Sequence, residues 1–149
     1  MENLFQPAVA NDILNRIEKL NANSQPLWGK MNVAQMLAHC TIVIRIARGL
    51  DKPKRRFLGV ILGWLVKDSF FGNKPYPKNS KTDPTFIVAN QRDFEREKQI
   101  LVEHINAFAT GGPAACTTHP NPFFGKLTPE EWARGQFRHL DHHLKQFGV

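Results

Sequence analysis

The chain is poor in cysteine and in acidic residues, and it has no long apolar run. Its two cysteines, Cys40 and Cys116, exclude a disulfide framework and fit buried thiols of a reducing cytoplasm. The longest apolar run, Phe57 to Val66, spans ten residues and is broken by Gly59 and Gly63. A membrane-spanning helix needs about twenty, so no span is expected. The start, Met-Glu-Asn-Leu-Phe-Gln-Pro, lacks the basic-then-apolar order of a secretory signal, and a cytoplasmic protein is expected. Asp and Glu number 13 against 20 Lys and Arg, a formal charge of +7 at pH 7. That balance suits nucleic acid, an anionic membrane surface or a small anionic substrate, and it does not choose among them. Alternating, strand-like segments are few, and there is no internal repeat.

What is present is helical punctuation. With 42% hydrophobic and 22% charged residues, the 149-residue chain reads as one globular domain, residues 1–149. Ile13, Leu14, Ile17 and Leu20 predict a first helix over 11–21. Asn32 with Gln35 fits a capping box at the start of a second, which carries Val33, Met36, Leu37, Cys40, Ile44 and Ala47 on one face. Gly49 or Pro53 would end it. A third helix is expected over 85–109, with Ile87, Phe94, Ile100, Leu101, Ile105 and Phe108 inward and Gly111-Gly112 as its stop. Thr128-Pro129-Glu130-Glu131 opens the last: a cap, a proline at the first helical position and acids at the positive helix end. Residues 51–85 hold Lys52, Lys54, Arg55 and Arg56, a short apolar helix from Phe57 to about Asp68, and a Pro- and Lys-rich loop. Four long helices joined by one long crossover, or lid, predict an all-α four-helix bundle.

The six histidines carry the chemistry. His139 and His143 stand four apart on the last helix and share a face. Taking Phe137, Leu140, Leu144 and Phe147 as the core side, a wheel of about 100° per residue sets His143 about 80° and His139 about 120° from the core direction, on one flank with Trp132 and Gln136. His142 falls well over 150° away, as a surface residue. On the second helix, His39 lies roughly 100–120° from the centre of its stripe. If these two helices are neighbours, the three imidazoles meet, and three imidazoles with an open position make a catalytic metal site. A lone histidine at a stripe edge also serves as a hydrogen-bonded boundary residue, and six histidines give about 0.2 pairs at this spacing by chance.

The segment Trp28-Gly-Lys-Met-Asn-Val-Ala-Gln-Met-Leu-Ala-His39, together with His119-Pro-Asn-Pro-Phe-Phe-Gly-Lys-Leu-Thr-Pro-Glu-Glu-Trp132 and Arg138-His-Leu-Asp-His-His143, resembles the two signatures of a branch of the DinB/YfiT-like superfamily that carries a domain of unknown function. The resemblance implies a four-helix bundle holding a divalent metal on three histidines, matching His39, His139 and His143. The wider superfamily includes thiol-dependent S-transferases, isomerases and metal-dependent hydrolases. It implies no DNA binding.

The expected function is therefore a metalloenzyme with zinc or nickel as the cofactor, activating a water or a low-molecular-weight thiol cosubstrate toward a small, anionic substrate. Gln35 and Gln136 are candidates to orient an imidazole or substrate, or else plain surface residues. His119 and Trp132 are candidates to line the pocket mouth. No general base is evident, since Asp141 falls on the outward side of its helix. The alternatives are a non-catalytic basic bundle, bound to an anionic partner or membrane surface through Lys52 to Val66, and a metal-free homodimer. The dimer would use the first ten residues or the pairs Phe70-Phe71 and Phe123-Phe124.

Overall fold

The computed structural model describes residues 1–149 apart from 56, 58, 60, 62, 64–66, 68, 69, 73, 74, 81 and 82. Its described residues form an all-α four-helix bundle: α1 Pro7–Glu18, α2 Val33–Ala47, α3 Phe94–Gly111 and α4 Pro129–Gln146. No helix among the described residues is long and apolar enough to cross a membrane.

The helices begin where capping chemistry allows. At α2 the Asn32 side chain accepts from the Gln35 N–H at 2.9 Å, and Gln35 Oε1 accepts from the Asn32 N–H at 3.0 Å. At α4, Thr128 and Glu131 make the same reciprocal pair, so orphan N–H groups are met at both helix starts. Gly49, at φ +72°, ends α2. There the Gly49 N–H bonds the Ile46 carbonyl and the Leu50 N–H the Arg45 carbonyl, a Schellman closure that needs a left-handed residue.

Two boundaries differ from expectation. α1 starts at Pro7, not at 11, because proline suits the first helical position. Ahead of it, Leu4 is fully buried and the Phe5 ring stacks on Phe108 at 5.4 Å. The first ten residues thus contribute Leu4, Phe5 and Ala10 to the packing, while Met1 and Glu2 stay exposed. α3 starts at Phe94, not at 85. Asp83 caps a single 3-10 turn over Pro84–Phe86, and the chain then runs non-helical until Asp93 accepts from the Arg96 N–H at 2.8 Å. Ile87, expected inward, is 58% exposed. The aspartate cap outweighs the apolar spacing upstream of it.

α2 packs between α3 and α4, and α1 packs against the same two helices from the opposite corner. The core joins Ile13 and Ile17 of α1, Leu37 and Ile44 of α2, Leu101, Ile105 and Phe108 of α3, and Leu140 and Leu144 of α4. Along the crossover the described residues Phe57, Gly59, Ile61, Gly63, Lys67, Phe70 and Phe71 are helical. The rest of the expected helix, Trp64, Val66 and Asp68 included, lies outside the described residues, as does Arg56. Gly59 and Gly63 lie against the backbone of Phe123, where any Cβ would collide. Phe70 and Phe71 pack on Phe124 at 4.8 and 5.1 Å. The two phenylalanine pairs therefore pack on each other and bury Phe71, while Phe70 stays 41% exposed.

Removing a cap or its closure should cost stability without changing the fold. Thr128→Ala should lower unfolding free energy by about 1 kcal/mol, and Gly49→Ala should also destabilise, because alanine resists positive φ. Urea titration of each variant measures both; unchanged midpoints would contradict these roles.

Candidate metal centre

α2 carries His39 beside Leu37 and Cys40 of the core, and the residue is only 4% exposed. α4 carries His139 and His143 one turn apart, and because α2 and α4 are neighbours the three rings meet. Their centroids are 4.9 Å apart for His39–His139, 4.9 Å for His39–His143 and 4.7 Å for His139–His143. One ligand nitrogen from each lies within 4.8 Å of the others. Among the described residues, no carboxylate or thiol joins this group.

Hydrogen bonds set the ring orientations. His39 Nδ1–H donates to the Phe86 carbonyl at 2.9 Å, which leaves a lone pair on its Nε2. His143 Nδ1–H donates to Gln146 Oε1 at 2.8 Å, and Gln146 Nε2 in turn donates to the Trp28 carbonyl at 2.6 Å. Here too Nε2 is left as the acceptor. His139 Nε2 stands 3.0 Å from His39 Nε2. Since the His39 atom bears a lone pair, His139 must supply the proton of that contact. Its own Nδ1 is buried with no hydrogen-bond partner.

The electrostatics favour neutral rings. Burial lowers the pKa of His39, opposed by its bond to Phe86. Burial and the charges His143, His39 and His142 would carry hold His139 well below 6.5. Burial, then His39, brings His143 down to about 3, against a smaller opposing contribution from Gln146. Neutral imidazole is the form that binds a metal. Tetrahedral bonds near 2.1 Å would set ligand nitrogens about 3.4 Å apart, so the 3.0 Å His39–His139 spacing lies within half an ångström of what an ion requires. The three residues fit a divalent metal.

The surroundings change several expectations. His142 is not a plain surface residue: it is half-buried, with ring contacts to Trp28 at 5.8 Å, Tyr76 at 5.7 Å and His143 at 5.2 Å. The helical wheel placed it facing away from the core, and two loops cover that side. Lys78 Nζ lies 4.5 Å from the centre of the Trp28 ring, and the Arg138 guanidinium 4.8 Å from that of Tyr76. A groove of about 780 Å³ on the α1 side of α4 has His142, Tyr76 and Arg138 on its wall. Asp141 faces that side and is bound by Arg16 at 2.9 Å and Lys145 at 2.7 Å.

Gln35 completes its cap and donates to the carbonyls of Ala89 and Asn90, pinning the segment before α3, and makes no hydrogen bond to an imidazole. Trp132 is only 3% exposed, inside the core and not at a mouth. Gln136, equally buried, is not a surface glutamine. His119 sits in a turn where its N–H donates to Thr117 Oγ1, outside the histidine group. Cys40 is buried, its thiol held protonated by burial and directed at Met36 Sδ. Cys116 is only half-buried, contrary to expectation, and partial burial raises its pKa to about 11. The partners that sequence reasoning missed are Gln146, Trp28 and the Phe86 carbonyl. Gln146 was detectable, three residues after His143 on one helix; a backbone carbonyl 47 residues from His39 leaves no sequence mark.

The buried neutral histidines give the stability a definite pH dependence. Above about pH 6.5 the folded and unfolded chains both hold neutral rings. Below it the unfolded chain takes up protons that the folded chain refuses, so stability falls as pH falls, and for His143 this continues to about pH 3. Metal-free protein in chelator should lose about 2 kcal/mol per fully neutral histidine between pH 7.5 and 5. Urea melts at these pH values test this, and a flat profile would contradict it.

No curated protein and no solved structure matches the chain. One family does, described as a protein of unknown function (DUF1569), over residues 4–148. That span takes in all four helices and all three clustered histidines, and the chain belongs to the DUF1569 family.

Proposed function

We propose that the protein is a cytoplasmic metal-dependent enzyme of DinB/YfiT-like type, in which His39, His139 and His143 hold one divalent ion, zinc or nickel, through Nε2. The observation that carries this reading is the convergence of three imidazoles, His39 and His143 buried and His139 partly so, with no acid joining them among the described residues, and two of them oriented from Nδ1 by oxygen acceptors. Bound there, the ion would lower the pKa of a water or thiol in its remaining position toward neutrality.

The chain's own residues would do the rest. The Phe86 carbonyl and Gln146 hold two rings in the ligating orientation, and the apolar core around α2 keeps water from the back of the site. Lys78 and Arg138, over Trp28 and Tyr76 at the edge near His142, suit a small anionic substrate arriving by the groove. Asp141 is on the groove side, but its carboxylate is bound by Arg16 and Lys145, so it is not offered as a general base. This favours thiol transfer, with a low-molecular-weight thiol as cosubstrate, over hydrolysis.

Untagged protein dialysed against zinc or nickel should retain one ion per chain by elemental analysis, and His139→Ala or His143→Ala should lose it. At a metal concentration of 100 Kd the stabilisation should be about 2.7 kcal/mol, visible as a rise in Tm. Retention of no ion by the unaltered chain, with no change in Tm, would sink the reading.

A second reading has its own observation. Phe57 is 76% and Ile61 48% exposed, one helical turn apart, beside the exposed Lys52, Lys54 and Arg55. Cations flanking exposed apolar side chains suit an anionic membrane surface. Co-sedimentation with phosphatidylserine vesicles at low salt, weakened by added salt and by Phe57→Ser, is the expected result. No binding at low salt would remove this reading.

A further inference from the structure

We propose that Gln136 is the positioning residue of His139. Its side-chain oxygen accepts from His139 Nδ1–H, and from Trp132 Nε1–H, once His139 Nε2 is a metal ligand. This rests on the metal-centre reading of the same site.

Three buried polar atoms on one flank of α4 have no hydrogen-bond partner: Trp132 Nε1, Gln136 Oε1 and His139 Nδ1. Unpartnered buried groups are rare, and here three occur at spacings of four and three residues. At about 100° per residue they fall within a sector of about 60°. Residues three and four apart on a helix are neighbours on its surface, which sets His139 beside Gln136 and Gln136 beside Trp132. Their chemistry is complementary: an indole N–H can only donate, and an amide oxygen can accept two bonds.

The ring tautomer explains why His139 Nδ1 and Gln136 Oε1 do not bond each other. With Nε2–H of His139 directed at the His39 lone pair, 3.0 Å away, Nδ1 carries a lone pair of its own. A lone pair and an amide oxygen repel. Ligation through Nε2 requires the other neutral tautomer: the proton leaves Nε2, a proton is taken up at Nδ1, and the ring stays neutral. Nδ1–H is then a donor three residues from an unpartnered acceptor. The other two ligands already show this solution. His39 has the Phe86 carbonyl, and His143 has Gln146, three residues along the same helix. Gln136 stands three residues before His139 as Gln146 stands three after His143.

Zinc affinity, measured by competition with a chromophoric chelator, tests the assignment. Gln136→Met keeps the volume and removes the acceptor, and should bind zinc about 10–100-fold more weakly, the usual loss for a ligand's hydrogen-bond partner. Gln136→Glu keeps an acceptor and should stay within about threefold of the unaltered chain or bind more tightly. Gln146→Met serves as the positive control. A second readout needs no Gln136 variant: in ¹⁵N–¹H spectra the Trp132 indole N–H, assigned with Trp132→Phe, should move downfield and gain exchange protection when zinc is added. If Gln136→Met fails to fold, this signal decides. Overturning results are zinc affinity of Gln136→Met within twofold of the unaltered chain, or a Trp132 indole that zinc does not move. A Trp132 indole already protected before zinc, as a bridging water would make it, also overturns the inference. If the unaltered chain binds zinc and only Gln146→Met weakens it, this inference falls while the metal reading stands. If the unaltered chain binds neither zinc nor nickel, both fall; if it binds nickel but no zinc, the same measurements are read with nickel.

Discussion

Two imidazole nitrogens 3.0 Å apart in a buried site need something positive between them, either a proton or a cation. Most of what surrounds the site follows from that constraint. Among the described residues no carboxylate joins the cluster, so a charged imidazolium finds no compensation from them and burial favours neutral rings. A neutral ring has one donor and one acceptor, so fixing the donor of His39 on Phe86 and that of His143 on Gln146 turns their acceptors inward.

The rigid parts of the fold support these partners. The capping box at Asn32 and the Schellman closure at Gly49 fix both ends of α2, and the capping box at Thr128 fixes the start of α4, the two helices that bear the clustered histidines. Gln35 ties the start of α2 to Ala89 and Asn90, just beyond the 3-10 turn that offers the Phe86 carbonyl to His39. Gln146 links His143 to the backbone at Trp28 in the loop before α2. Each of the two histidine-bearing helices is thus bound to a loop that also serves the cluster. Among the described residues no cation joins the histidine cluster; Lys78 and Arg138 lie over Trp28 and Tyr76, the rings that flank His142.

Much of this could be read from residues a few positions apart. The pairing of His139 with His143, the caps at Asn32 and Thr128, the stop at Gly49 and the apolar stripes of α2 and α4 depend on contacts within four residues, and all appear as expected. The structure departs from local expectation where a local signal has a stronger rival. Ile87 fits the periodicity of α3, yet Asp93 starts the helix and leaves Ile87 in solvent. His142 points away from the core on a wheel, and Trp28 and Tyr76 cover it from outside the helix.

Local propensity thus sets which segments are helical and which face of each carries histidine, because capping and periodicity act over one or two turns. It leaves open whether α2 lies against α4 or across a diagonal from it. That is settled by how the core side chains of four helices and their connections pack together. His39 and His139, 100 residues apart, become neighbours only through that packing. The Phe86 carbonyl is the extreme case. Every residue has such an oxygen, so nothing in the sequence distinguishes it, and only the path of the chain before α3 brings it to His39.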